Sequence, residues 1–360
     1  MINVTKPFLP PVEEYQAYLA GIYQRGWLTN NGPLVNELEL KLKEYLDIPY
    51  MLFLANGTLS LQIALQSLVP EGGEIITTPF SFVATTSAIV WQHCTPVFAD
   101  IDPVTLNIDP AAIEAAITPN TKAILATHVF GNPCDIEAID AIARKHGLKV
   151  LYDATHAFGA THKGKSVFLY GDISITSFHA TKLFHTVEGG AVFTKDPELL
   201  KQMARQRNFG YVNHIDFDGA GINAKNSEFH AAMGLCNMKY LELLFAKRKE
   251  QWTYYLELLK GLHVQKVQLN PEIDFNYAYF PVIFPDEDML LRSMEQLQLQ
   301  YVYPRRYFYP SLNQLNYVTP QPCPVAESIA PRILCLPLFH DLRKEEQQMI
   351  ARILLRVQNN

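Results

Sequence analysis

Lys182 is the residue of this 360-residue chain whose type and setting most favour covalent chemistry. It lies in the segment Ser177–Asp196, SFHATKLFHTVEGGAVFTKD, between a short apolar strand and a glycine pair that opens a second strand. A lysine on such a connection above a packed sheet can be desolvated enough to bond to an aldehyde cofactor. Most lysines are instead exposed to solvent, so the assignment depends on what distant segments supply.

A candidate anion site occurs at Gly57 and Thr58. The apolar run Tyr50–Leu54 ends just before them, and apolar residues then recur at helical spacing, at Leu61, Ala64, Leu65 and Leu68. A helix that begins after a strand presents unpaired N–H groups and the positive end of its dipole, which suits a phosphate group. An ordinary N-cap threonine would explain the same pattern.

A carboxylate and an aromatic ring follow two other predicted strands. The run Lys149–Tyr152 leads directly into Asp153, and open α/β sheets bind ligands at the carboxyl ends of their strands. A helix N-cap is the structural alternative for this aspartate. Phe82 follows the strand Glu74–Thr78 in the motif TTPFSFVATT.

The segment Gly159–Ser166, GATHKGKS, matches the phosphate-loop pattern GxxxxGK[ST]. That loop needs a strand directly before it and a helix that begins at its lysine. Here Asp153–Phe158 intervenes, and the β-branched and aromatic stretch VFLYGD follows. We interpret the segment as a turn and the ATP-binding pattern as a chance match. No GxGxxG motif follows a strand, so nothing indicates a dinucleotide site.

Strand and helix patterns alternate along most of the chain and would position these residues. Strand patterns occur at Glu74–Thr78, Thr95–Ala99 and Ala123–Thr127, and helical patterns at Val12–Tyr23, Leu34–Leu46, Ser81–Gln92, Pro110–Ala116, Ile136–His146 and Leu199–Arg207. This alternation predicts an α/β fold with a largely parallel sheet.

The C-terminal part differs in pattern. A glycine- and aspartate-rich loop, Asn208–Ala224, precedes a helix that is predicted to run from near Ser227 toward Leu259. Beyond it come a strand pattern at Ala278–Phe284 and a proline-rich stretch. We predict a large domain over residues 1–244 and a smaller α+β domain over residues 245–360.

Composition and charge narrow the classes of function. The chain is 48% apolar and carries a formal net charge of -6 without a long run of lysine and arginine, so we expect neither a nucleic-acid nor a membrane partner. The five cysteines lack CxxC spacing, which argues against a zinc site or a disulfide framework. The amino terminus lacks a basic patch followed by an apolar core. We therefore expect a cytoplasmic protein that acts on small molecules.

The separated features match the needs of one cofactor, pyridoxal phosphate. Its phosphate requires backbone donors, as Gly57 and Thr58 would supply, and its ring requires a stacking partner such as Phe82. Its aldehyde requires an amine such as Lys182, and its ring nitrogen requires a carboxylate such as Asp153 that keeps it protonated. The order of these features along the chain is as informative as their presence.

These segments resemble the DegT/DnrJ/EryC1/StrS family of nucleotide-sugar aminotransferases, which have fold type I among pyridoxal phosphate enzymes. The resemblance covers nearly the whole chain, and its motifs occur in order as GWLTNNGP, ANGTLSLQIAL, TTPFSFVATTSAI, PVFADIDPVTLNID, THVFGNPCDI, YDATHAFGA, SFHATKLFHTVEGGAVFT, RNFG, GINAKNSEFHAAMG and LPLFHDL. Each motif is weak alone, whereas the ordered set is highly specific.

The resemblance implies a role for each matched residue. Lys182 would hold the cofactor covalently, Asp153 would pair with its ring nitrogen, and Phe82 would stack on its ring. The phosphate would be bound by Gly57, Thr58 and Ser177. Most members carry glutamine where this chain has His156, and a histidine at that position brings its protonation state into the chemistry. Relatives that dehydrate sugars carry histidine in place of Lys182, so its retention favours transamination.

Asn223, in GINAKNSE, matches a family asparagine that reaches the cofactor phosphate of the neighbouring subunit. The resemblance therefore implies a homodimer with shared active sites.

Within the family, the opening INVTKPFLPP and the loop GWLTNNGP are most similar to members that aminate C4 of dTDP-4-keto-6-deoxyglucose. These members use L-glutamate as the amino donor, and we expect a role in O-antigen or other surface-glycan synthesis. Enzymes of the perosamine type that use GDP-sugars, and enzymes that aminate a 3-keto position, are the alternatives. A non-catalytic regulator that binds pyridoxal phosphate is an alternative from another class.

Two segments are candidates for contact with the sugar nucleotide. The GWLTNNGP loop offers an indole and hydrogen-bonding groups, at Trp27, Thr29, Asn30 and Asn31. Arg305 or Arg306 would meet the diphosphate, because guanidinium groups match phosphate oxygens. A solvated strand end is the alternative for these arginines.

Overall fold

The computed structural model describes residues 1–359 of the chain. Its strands are β1 (Ile2–Asn3), β2 (Tyr50–Leu54), β3 (Glu74–Thr77), β4 (Thr95–Phe98), β5 (Thr121–Thr127), β6 (Lys149–Asp153), β7 (Thr161–His162), β8 (Lys165–Ser166), β9 (Ile173–Ser177), β10 (Gly190–Thr194), β11 (Ile273–Asp274), β12 (Phe280–Ile283), β13 (Val302–Tyr303) and β14 (Ile333–Leu336). Its α-helices are α1 (Val12–Arg25), α2 (Pro33–Leu46), α3 (Gly57–Leu68), α4 (Val83–Trp91), α5 (Pro110–Ala115), α6 (Ile136–His146), α7 (Pro197–Gln206), α8 (Glu228–Met238), α9 (Leu241–Leu258), α10 (Glu287–Gln298), α11 (Pro324–Ile329) and α12 (Lys344–Gln358).

Seven strands form the central sheet, in the order β2-β10-β9-β6-β5-β3-β4. β10 is antiparallel to both of its neighbours, and the other pairs in this sheet are parallel. The central strands are buried on both faces, which explains their near-continuous apolar runs. The prediction of an α/β fold with a mostly parallel mixed sheet is confirmed.

Helices cover both faces of this sheet. In β2, Met51 and Phe53 pack with side chains of α1, α2 and α8, whereas Leu52 and Leu54 pack with side chains of α3, α4 and α7. Successive side chains of a strand point to opposite faces, so these two clusters are the two layers of the core. α5 and α6 cover β3, β5 and β6 in a third cluster.

The prediction of one continuous helix from Ser227 toward Leu259 was wrong. Two residues, Lys239 and Tyr240, separate α8 from α9. The side chains of both residues bind the carboxylate of Glu14 on α1. This contact joins positions more than 200 residues apart, so the local periodicity of the sequence does not reveal the break.

The C-terminal part has an apolar core of its own. Side chains of α10, α12 and the end of α9 pack against β12 and β14, which form an antiparallel pair. β1 pairs with β13 and so ties the amino terminus to this part. The predicted domain boundary after residue 244 falls inside α9. We propose the division into two domains, with α9 as the connection.

The segment GATHKGKS forms a hairpin of β7 and β8. Lys163 and Gly164 at its turn both have positive φ, and β8 begins at Lys165 where a phosphate loop would begin a helix. The interpretation of this segment as a turn is confirmed. Over residues 1–359, no helix is long and apolar enough to cross a membrane.

Candidate active site

A cavity of about 410 Å³ lies at the carboxyl ends of β6 and β9, and its size is typical of small-molecule sites. Its lining includes most residues that the motifs predicted, namely Gly57, Thr58, Phe82, Asp153, His156, Ser177 and Lys182. Segments far apart in sequence meet here because parallel strands end at the same edge of a sheet.

Lys182 lies in the connection between β9 and β10 and lines the cavity, as predicted. The hydroxyl of Tyr279 lies 3.5 Å from its amine. Burial lowers the pKa of Lys182 from its ordinary value, and the opposing effects of Tyr307 and Asp153 are smaller. Burial therefore favours the uncharged amine, which is the nucleophilic form.

Asp153 is the last residue of β6 and is 6% exposed. Its two carboxylate oxygens accept hydrogen bonds from the hydroxyl of Thr85 and from the backbone N–H of Thr155, each at 3.1 Å. Phe82 immediately precedes α4, and its ring is 51% exposed at the cavity wall. The cavity thus has a fixed carboxylate and an aromatic face that is free to contact a ligand.

The amino terminus of α3, where an anion site was predicted, lies at the cavity. Gly57 and Thr58 are its first residues, and Asn56 caps it by accepting a 2.8 Å hydrogen bond from the N–H of Leu59. The first N–H groups of a helix lack intrahelical partners. A Cβ atom at Gly57 would lie 2.8 Å from that of Ser177, so the close approach of these two segments requires glycine.

The ring of His156 is buried among aromatic side chains. Its ring is parallel to those of Phe130 and Phe308, with centroids 6.3 and 5.5 Å away. The backbone N–H of Phe130 donates to its Nδ1 at 3.3 Å, which places the ring proton on Nε2. Burial lowers the pKa of His156 well below its usual value. His156 therefore offers the cavity a neutral N–H donor.

Two of the predicted segments do not line the cavity of their own chain. Asn223 is exposed in the loop before α8, and Trp27, Thr29 and Asn30 lie in an exposed loop where Trp27 Nε1 donates to the carbonyl of Thr29. The buried Glu228 holds that loop by accepting hydrogen bonds from two N–H groups at the start of α2, at 3.0 and 2.9 Å. Both segments are thus ordered around α8, outside the cavity.

The two adjacent arginines have different surroundings. Arg305 lines the cavity, and its guanidinium lies over the ring of Tyr307. Arg306 forms a 2.5 Å ion pair with Glu287 and does not line the cavity. Only Arg305 is therefore placed to contact a cavity ligand.

Sequence reasoning missed a set of buried hydroxyl groups beside Asp153. Thr127, Ser81 and Thr85 form a hydrogen-bonded chain that ends on this carboxylate. A signal existed, because the motif TTPFSFVATT places several hydroxyl residues in an otherwise apolar segment. Tyr279 was missed as well, and it lies 97 residues from Lys182 with no motif to link them.

The chain belongs to the DegT/DnrJ/EryC1/StrS aminotransferase family, whose profile matches residues 11–355. A relative from Shigella dysenteriae, named dTDP-4-amino-4,6-dideoxy-D-glucose transaminase, is 41% identical over 357 residues and 97% of each chain. An Escherichia coli relative of the same name is 40% identical over 98% of each chain. A crystal structure of DesI in the presence of its TDP-sugar product superposes with a TM-score of 0.92 at 32% identity, covering 99% of this chain and 92% of that one.

Proposed function

We propose that this chain is a pyridoxal phosphate-dependent aminotransferase for a nucleotide sugar. The reaction moves the amino group of L-glutamate to C4 of dTDP-4-keto-6-deoxy-D-glucose and gives dTDP-4-amino-4,6-dideoxy-D-glucose for surface-glycan synthesis. The observation that carries the proposal is the buried amine of Lys182 in one cavity with the carboxylate of Asp153 and the amino terminus of α3. The names of the two relatives at 40% identity or above support the substrate.

The donor set of the cavity fits pyridoxal phosphate. The start of α3 and the hydroxyl of Ser177 suit the phosphate, and Phe82 presents an exposed ring face for stacking. Within residues 1–359, no cationic side chain is bound to Asp153, and a protonated ring nitrogen would supply a positive charge beside it. When bound, the cofactor supplies an aldehyde that carries the amino group and a ring that accepts electrons.

Three residues of the cavity would have separate roles in this reaction. Lys182 would hold the cofactor through Nζ, and its amine would also serve as the base that moves the proton of the glutamate Cα. Asp153 would pair with the protonated ring nitrogen. His156 would donate its Nε2–H to the phenolate oxygen of the cofactor, and burial among aromatic rings favours its neutral form.

Two unlike substrates must use this cavity in turn, so ping-pong kinetics are expected. We propose that Arg305 at the cavity wall meets the diphosphate of the sugar nucleotide. We also propose a homodimer in which Asn223 completes the phosphate site of the second copy. Trp27, Thr29 and Asn30 remain predicted sugar contacts, in a loop adjacent to the segment that carries Asn223.

A panel of nucleotide ketosugars tests the substrate. The purified chain, loaded with cofactor and L-glutamate, is offered 4-keto and 3-keto sugars linked to dTDP, UDP and GDP, and the position of nitrogen in the product is read by NMR. We expect preference for the dTDP-linked 4-keto-6-deoxy sugar and an equatorial amine at C4. A product with nitrogen at C3, or a preference for a GDP-linked sugar, would contradict the proposed substrate. Failure to aminate the cofactor with glutamate would contradict the proposed reaction and favour the non-catalytic regulator.

A further inference from the structure

A chain of three buried hydroxyl groups ends on Asp153. Thr127 Oγ1 lies 3.0 Å from Ser81 Oγ, which lies 2.8 Å from Thr85 Oγ1, and Thr85 Oγ1 lies 3.1 Å from Asp153 Oδ2. The four residues are between 0% and 6% exposed. They come from the end of β5, the turn before α4, α4 itself and the end of β6. Hydroxyl groups from two separate segments, residues 81–85 and the end of β5, therefore converge on one carboxylate.

The three hydroxyl protons in this hydrogen-bonded series can be arranged in only one way. An ionised carboxylate only accepts, so Thr85 donates to Asp153, and each hydroxyl has one proton to donate. Ser81 must then donate to Thr85, and Thr127 to Ser81. The three O–H dipoles point the same way along the chain, toward Asp153, and linked hydrogen bonds of this kind strengthen one another.

We propose that Thr85 is a positioning residue that keeps Asp153 ionised and oriented toward the ring nitrogen of the cofactor, with Ser81 and Thr127 supporting it. The inference rests on the proposed function. A buried carboxylate is costly unless hydrogen-bond donors compensate for its lost hydration. Without the hydroxyl of Thr85, the proton shared between Asp153 and the ring nitrogen would shift toward the carboxylate, and the ring would accept electrons poorly.

Isosteric variants on α4 test this role. Thr85→Val removes the hydroxyl and keeps the shape, and Thr85→Ser restores the hydroxyl. Thr86→Val is the matched control, because Thr86 is also fully buried on α4 and its hydroxyl has no partner among the described residues. The affinity of each cofactor-free protein for pyridoxal phosphate is measured by fluorescence titration. We expect Thr85→Val to bind it about 10- to 100-fold more weakly, which corresponds to one hydrogen bond to a charged group.

A cofactor analogue with C–H in place of the ring nitrogen makes the test specific. It cannot donate to Asp153, so Thr85→Val and the wild type should bind it equally well. We expect Thr85→Ser and Thr86→Val to match the wild type with both ligands. Equal affinities of Thr85→Val and Thr86→Val for pyridoxal phosphate would overturn the inference. Equal losses with both ligands would do so too, since they would indicate a packing defect.

A second variant covers the case in which Thr85→Val does not fold. Thr127→Val removes the first donor of the chain, at the end of β5, and should weaken pyridoxal phosphate binding in the same direction but by less. If Thr127→Val binds pyridoxal phosphate with unchanged affinity, or loses affinity for the analogue as well, the proposed role of the three hydroxyl groups is contradicted. If the wild type itself binds no pyridoxal phosphate, the proposed function fails, and this outcome is distinct from the others.

Discussion

The hydroxyl of Tyr279, next to β12, lies 3.5 Å from the amine of Lys182, which follows β9. Burial lowers the pKa of Lys182 and raises the pKa of Tyr279. Burial therefore favours the uncharged form of both groups, an amine beside a protonated phenol. An uncharged amine is the form that attacks an aldehyde, so burial prepares the amine of Lys182 for such a reaction.

Lys182→Ala should abolish turnover. General acid-base steps contribute ~10² to 10⁴-fold in rate, and loss of the covalent attachment adds to that effect. Borohydride reduction of the loaded enzyme, followed by mass spectrometry, should attach the cofactor to the wild type and not to the variant. Lys165→Ala, at an exposed lysine of the β7-β8 hairpin, is the control and should retain both activity and labelling. Stable labelling of the Lys182→Ala protein would place the attachment elsewhere.

Asp153→Asn should bind the cofactor but aminate it far more slowly with glutamate. The amide keeps the size of the side chain and loses the charge that holds the proton on the ring nitrogen. Stopped-flow absorbance of the glutamate half-reaction measures the effect, and the absorbance of the bound cofactor before mixing verifies occupancy. Near-normal rates in this variant would assign the ring-nitrogen role to another group.

The stability of the wild type should depend on pH through His156. Burial depresses the pKa of His156 in the folded state, so below about pH 6.5 only the unfolded chain binds a proton at this residue. The free energy of unfolding should then fall relative to that of His156→Gln by about 1.4 kcal/mol per pH unit. Urea unfolding from pH 7 downward measures the difference, with the exposed His214→Gln as the control. Parallel curves for wild type and His156→Gln would contradict the buried neutral histidine.

Asn223→Ala should weaken cofactor binding by about 1 to 3 kcal/mol if the amide completes the phosphate site of a second copy. Mixed dimers give a sharper readout. A Lys182→Ala chain and an Asn223→Ala chain, each inactive or impaired alone, should regain one intact site per heterodimer. No recovery after subunit exchange is verified would show that the sites are not shared.

Glu228→Ala should destabilise the fold. The carboxylate is fully buried, and its hydrogen bonds to two N–H groups at the start of α2 would be lost. The expected loss is about 2 to 4 kcal/mol in the free energy of unfolding. Glu37→Ala, which removes an exposed i,i+4 ion pair on α2, should cost only about 0.5 kcal/mol or less. Equal effects of the two substitutions in denaturant unfolding would show that Glu228 does not anchor this loop.

Much of the site was predictable because its parts are local. Gly57 and Thr58 occur where a strand pattern changes to a helix pattern, and Asp153 occurs where an apolar run ends. A parallel sheet brings the ends of its strands together whatever the details of packing, so the α/β pattern was sufficient to predict that these residues meet. Short-range periodicity also located α6 and β2 at their observed bounds.

Other features depended on contacts that local patterns do not contain. Arg305 and Arg306 are neighbours with the same side chain, but Arg306 is bound to Glu287 and to the carbonyl of Pro331, and only Arg305 of the two lines the cavity. The loop that carries Trp27 was expected beside the sugar, but its anchor on Glu228 keeps it off the cavity of its own chain.

The sequence by itself determined the family, the order of the sheet-forming segments and the lysine, carboxylate and helix start of the site, because each of these is a property of short segments. The tertiary structure decided where the protons lie. The tautomer of His156 is set by the backbone N–H of Phe130, and the hydroxyl of Thr85 is directed by Asp153, 68 residues away. Hydrogen-bond direction depends on the partner that packing supplies, and in both cases that partner comes from a distant part of the chain.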